Sequence, residues 1–143
     1  MKDPKGIPVI TGSFASREIQ PGDPWKVYLQ ASDPDGDMKA IYCVLDQAGT
    51  GPYPVSITRI PEDQRRELSG FLFLNTGGVA GFASGNLSLK LQIRDMAGNY
   101  SEPVSFSLSF NPRAQQEEPS PGLFQDKELG PIMIIPTSGS SGV

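Results

Sequence analysis

Across residues 87–94, Leu87, Leu89, Leu91 and Ile93 alternate without error with Ser88, Lys90, Gln92 and Arg94. Successive side chains of a strand point to opposite faces, so this period of two predicts a strand with one buried face. Residues 103–110 repeat it, with Val104, Phe106, Leu108 and Phe110 set against Ser105, Ser107 and Ser109. Between the two runs, Asp95-Met96-Ala97-Gly98-Asn99 supplies residues that accept left-handed backbone, which makes the pair a hairpin. Over 25–32, Trp25, Val27, Leu29 and Ala31 alternate with Lys26, Tyr28, Gln30 and Ser32. The stretch 38–46 is mostly apolar on both faces, as in a central strand covered on both sides. Residues 67–75, with Phe71-Leu72-Phe73-Leu74, predict a further strand. A weaker edge strand is expected over 54–60, either C′ or D of a sandwich, and a first strand over 7–16, broken near Gly12. The best helical candidate, residues 61–66, makes at most one turn. Seven strands joined by short turns fit an all-β Greek-key sandwich occupying residues 1–110.

Beyond Phe110 the pattern stops. Pro112, Gln115-Gln116, Glu117-Glu118, Pro119 and Pro121 are linker chemistry, and Thr137 to Val143 is a run of small polar residues. Residues 111–143 are therefore expected to form a flexible, disordered C-terminal tail, interrupted by a short apolar island at 132–135. The connection 76–86, with Gly77, Gly78 and Gly81, is also expected to be flexible.

Composition narrows the function. The 143 residues hold 12 basic and 16 acidic side chains, a net charge of -4. No segment is a basic stripe, which disfavours capture of nucleic acid or of an anionic membrane surface. No 18-residue apolar run and no basic-then-apolar leader occurs, so any export signal is expected outside this chain and no membrane insertion by this segment. Cys43 is the single cysteine, which excludes an internal disulfide and a multi-cysteine zinc site. Histidine is absent, so Ser-His-Asp and Cys-His catalysis is impossible. Cys43 falls mid-strand, where a thiol behaves as a small hydrophobe. No enzymatic activity is expected.

Two turns carry a resemblance. Ala31-Ser32-Asp33-Pro34-Asp35-Gly36-Asp37 resembles a turn of bacterial immunoglobulin-like and cadherin-like β-sandwich modules, and residues 91–101, with the form Asp-x-Ala-Gly-Asn-x-Ser, resemble another. The resemblance spans about residues 7–110. It implies an immunoglobulin-like sandwich, placed extracytoplasmically (periplasmic, secreted or surface-anchored), that spaces, adheres or binds on an exported protein. The Asp-Arg-Glu and Asp-x-Asn-Asp-Asn motifs of true cadherins are missing, so their calcium cluster does not carry over.

Asp33, Asp35 and Asp37 occupy alternate positions of a tight turn. They are simple turn formers on one reading and a weak calcium site on the other, since calcium takes several oxygens. The twelfth residue from Asp33 is Val44, which excludes an EF-hand. In an immunoglobulin-like sandwich the B–C and F–G loops share one end, which brings Asp95 and Asn99 toward the three aspartates, and Glu62 and Asp63 too if 54–60 is strand D. Arg65, Arg66 and Arg94 are then available to neutralise the cluster as a plain ion-pair network. Gly77 to Gly85 lacks the lysine ending of a phosphate loop. Trp25, Tyr28, Tyr42, Tyr53 and Tyr100 would be the sugar platform of the alternative function, a carbohydrate-binding module. A third alternative has strand 54–60 pairing with a partner chain. A monomer is expected, its protein or glycan partner unknown.

Overall fold

The computed structural model describes residues 6–49, 51–78 and 86–133. Among the described residues, strand makes up 54% and no helix reaches seven residues, which settles the all-β class. The strands are β1 (Val9–Ala15), β2 (Glu18–Ile19), β3 (Pro24–Ser32), β4 (Met38–Gln47), β5 (Gly51–Pro52), β6 (Ser56–Arg59), β7 (Glu67–Asn75), β8 (Leu87–Asp95), β9 (Val104–Phe110) and β10 (Glu128–Pro131). One sheet has the order β1-β3-β7-β10; the other runs β2-β9-β8-β4-β5, with β6 also on β4.

The alternating residues close the core from both sides. Trp25, Val27, Leu29 and Ala31 of β3 and Leu68, Leu72 and Leu74 of β7 meet Ile41, Cys43 and Leu45 of β4 and Leu87, Leu89, Leu91 and Ile93 of β8. Trp25 stands edge-on to Phe106 of β9 at 6.4 Å, and its indole N–H donates to the Ser16 carbonyl at 2.8 Å. That bond satisfies the polar end of a side chain with no exposed surface. Burial pushes the Cys43 thiol up to about 12, so it stays protonated and inert in the folded chain.

The first strand does break, in two ways. A register shift lies between Ile10 and Gly12, as a bulge does, and past Ser16 the chain changes sheets, so that β1 pairs β3 while β2 runs parallel to β9. Residues 56–59 pair antiparallel with β4. Their other edge is not open to a partner along its length: the Met133 amide donates to Ser56 Oγ at 2.9 Å, and Gly130 lies against Thr58.

The expected free tail is the main correction. Residues 111–133 fold back over the outer face of the β1-β3-β7 sheet. The Gln116 side chain accepts from the Lys26 amide at 2.8 Å and donates to the Pro24 carbonyl at 2.7 Å, as a neighbouring strand would. Further along, the Glu117 amide donates to Ser16 Oγ (3.1 Å) and the Gln125 amide to Ser69 Oγ (2.9 Å). Phe124 packs 5.6 Å from Tyr28, whose ring also meets Phe14 and Phe71. Tyr28, expected to face water, is thereby only 8% exposed. β10 then pairs in parallel with the β7 edge and Ile132 enters the core. The packed body therefore runs past residue 110, to Met133. Residues 134 and 135 of the apolar island and most of the glycine-rich connection, 79–85, lie outside the described residues.

Candidate metal centre

The turn between β3 and β4 forms because Asp33 caps it. Asp33 Oδ1 accepts the Asp35 amide at 2.9 Å, and its carbonyl accepts the Gly36 amide at 3.0 Å. Gly36 has φ 69°, a left-handed value that glycine adopts freely. The Asp33 amide donates to the Arg66 carbonyl at 3.0 Å, which ties the turn to the segment entering β7. Proline at 34 and the turn's spacing then leave the carboxylates of Asp33, Asp35 and Asp37 facing one another, with one oxygen from each within 4.8 Å of the other two.

The three differ sharply in exposure. Asp33 is 1% exposed, Asp37 half-buried and Asp35 exposed. Asp33 Oδ2 and Asp37 Oδ1 are both shut away from solvent without any donor. Asp37 has its pKa raised, first by desolvation, then by its contact with Asp33 and by the charges of Asp33 and Asp95. Two sequestered carboxylate oxygens without a donor are costly unless a proton or a cation sits between them.

Asp95 and Asn99 arrive at the same end but do different work. The Met96 amide donates to the Asp37 carbonyl at 3.0 Å, joining the two turns. Both Asp95 oxygens are occupied by Asn99, through its amide at 2.8 Å and its side chain at 3.2 Å. Asp95 therefore adds negative potential to the site while Asn99 holds its carboxylate, and neither joins the close group of three.

Among the described residues no ion pair joins Arg65, Arg66 or Arg94 to the three aspartates, though Arg94 feels the charge of Asp95. Arg66 donates to the Pro34 carbonyl, and Arg94 donates to the Tyr42 hydroxyl at 3.3 Å. Among the described residues the recorded ion pair is Lys127 with Asp63, at 3.8 Å, so Asp63 is spoken for by the returning segment. What the sequence did not reveal is Gly6. It is buried, with φ 81°, and a Cβ there would fall 2.5 Å from Asp35 Oδ2. The incoming chain thus crosses directly over the exposed aspartate, and only the glycine at position 6 hinted at it.

The sugar platform does not assemble as a unit. Trp25 is in the core, Tyr28 lies under the returning segment, and Tyr53 bonds Gln47 at 2.6 Å. Tyr42 and Tyr100 alone come together, at 5.6 Å and 73°.

Fold and site together define an all-β protein of two facing sheets with a crowded acidic end. No family model, no curated protein and no solved structure matches the chain.

Proposed function

We propose that this chain is a non-catalytic, immunoglobulin-like Greek-key module of an exported or cell-surface protein, and that Asp33, Asp35 and Asp37 bind calcium at one end of it. The Greek-key reading is supported by the sheet order: β1, β3 and β7 lie in one layer and β4, β8 and β9 in the other, the division of strands A, B, E and C, F, G. The observation that carries the cation is the pair of sequestered oxygens, Asp33 Oδ2 and Asp37 Oδ1, with no donor. Hard oxygen donors favour calcium or magnesium. An open turn with few protein ligands suits calcium, which tolerates irregular geometry and keeps water in its shell.

The affinity expected of such a partly exposed site is about 10⁻⁴–10⁻³ M. At a tenfold excess over Kd, calcium then stabilises the fold by about 1.4 kcal/mol, a rise of a few degrees in melting temperature. Asp35→Asn should abolish that rise with little change in the calcium-free melt, because Asp35 is the exposed member. Magnesium should do less. A melt unmoved by 10 mM calcium (roughly ten times the weakest expected Kd), with the amide resonances of 33–37 also unmoved, would leave these three as turn residues.

The same group predicts a pH dependence in calcium-free buffer. Asp37 keeps its proton to higher pH in the folded chain than its ordinary 3.8. The native state then binds more protons than the unfolded one, so this contribution is full below that value and is lost as pH rises through the raised one. Asp37→Asn should melt like the parent at the acid end and above it toward neutrality. Parallel curves across the range would show that Asp37 is not crowded.

A further inference from the structure

The outer face of the second sheet stands apart from the acidic end. Tyr42 and Val44 of β4, Ile57 of β6 and Tyr100 after β8 point outward on it, and Val55 adjoins them; Val44, Val55, Ile57 and Tyr100 are 36%, 49%, 52% and 43% exposed. Cross-strand register makes them one patch: Tyr42 is opposite Ile57 on one side and Gln92 on the other, Val44 is opposite Lys90, and Arg94 bridges to Tyr100. Arg94 holds the two rings, with its guanidinium 5.9 Å from the Tyr100 ring and 3.3 Å from the Tyr42 hydroxyl.

The charge on this face runs against that of the chain. Arg59, Lys90 and Arg94 frame the apolar residues, and none of the three makes an ion pair among the described residues, in a protein of net charge -4. Asp46 stands at the far end of β4, opposite Ser88. Four exposed apolar side chains within a rim of unpaired cations have the composition of a docking surface, apolar at the centre and charged at the edge. We propose that this face binds an acidic protein segment bearing aliphatic side chains.

Two other occupants fit less well. A second copy stacked face to face would oppose cation to cation. An acidic polysaccharide would use the cations and stack sugar rings on aromatic faces, but Tyr42 and Tyr100 stand edge to face and offer no common plane, while Val44, Val55 and Ile57 need aliphatic partners. The proposal does not depend on calcium at the acidic turn.

The test uses the full chain and a synthetic peptide of about ten residues alternating glutamate and valine, a length that spans a typical strand. Amide shifts are mapped at residues 42, 44, 57, 90, 92, 94 and 100, with polyglutamate and alginate as comparison probes. The peptide should move this set, and polyglutamate should bind about tenfold more weakly for want of apolar contacts. Arg59→Glu with Lys90→Glu should weaken the peptide by about tenfold or more while leaving the melt unchanged, since both side chains are exposed. Shifts that are absent at millimolar peptide, that fall elsewhere, or that survive the charge reversal would overturn the proposal. So would alginate binding these residues more tightly than the peptide, which would assign the face to a glycan.

Discussion

Leu91→Asp should leave the chain unfolded at room temperature, whereas Lys90→Asp, one residue away, should shift a urea melt only slightly. Leu91 has no exposed surface and lies between Cys43 of β4 and Val104 of β9. Trimming such a leucine to alanine costs about 2–5 kcal/mol through lost burial and the cavity left behind. Aspartate adds a carboxylate with no partner in an apolar layer, and whole domains are stable by only about 5–15 kcal/mol. Lys90 faces water on the same strand. Equal urea midpoints for the two variants would mean that β8 is turned over.

The second large effect is expected far from the centre of the sandwich. Gly70 of β7 lies beneath the returning segment, and a Cβ there would fall on the Lys127 carbonyl oxygen and 2.9 Å from Leu129 Cγ. Backbone cannot yield as a flexible side chain does, so Gly70→Val should expel β10. Ile132, 5% exposed, would leave the core with it, and the loss should resemble deletion of a buried isoleucine, about 2–5 kcal/mol. Hydrogen exchange locates the change. The amides of Phe71 and Ile132 donate to the carbonyls of Lys127 and Phe73 at 2.9 and 2.8 Å, and both should lose protection in the variant while Leu89 and Leu91 keep theirs. Were these two amides already unprotected in the parent protein, the segment would be the loose tail that its composition suggests.

That contrast marks where sequence pattern succeeds and where it stops. Strands β3, β4, β7, β8 and β9 could be placed to within a residue or two because each buries one face, or both, against a long partner, and burial writes itself as period two or as an apolar run. β10 writes nothing of the kind. Glu128-Leu129-Gly130-Pro131 contains one apolar side chain of any size, and its glycine and proline are usual signs of a strand's absence. Its order comes from bonds such as Phe71 to Lys127 and Ile132 to Phe73, and that of the segment before it from Gln116 to Pro24, 92 residues apart, and Glu117 to Ser16, 101 apart. No local pattern encodes a partner that distant. β2 is two residues long and equally silent.

The acidic end divides in the same way. Alternate aspartates around Pro34 and Gly36 were enough to bring Asp33, Asp35 and Asp37 together, since turn geometry is local. The Met96 amide on the Asp37 carbonyl brings Asp95 to the same end. Its occupation by Asn99 is also local, a side chain bonding four residues back, but composition alone cannot distinguish a carboxylate that is already satisfied from one that is free. The near-complete burial of Asp33 depends on the chain packed around the turn and had no sequence signal.

The parallel pairing of β10 with β7 has a consequence for the order in which the molecule is completed. A chain is made from its N-terminus at about 5–20 residues per second, so the stretch from Asn111 to Met133 takes roughly one to five seconds to add after β9 is finished. Until that segment docks, the outer edge of β7 presents unpaired amides and carbonyls and the Tyr28, Phe14 and Phe71 rings lack its cover. An open strand edge of this kind is a template for pairing with another chain. The closing segment is thus the molecule's own plug for that edge, and an edge left open before it docks is where copies of the chain would mispair.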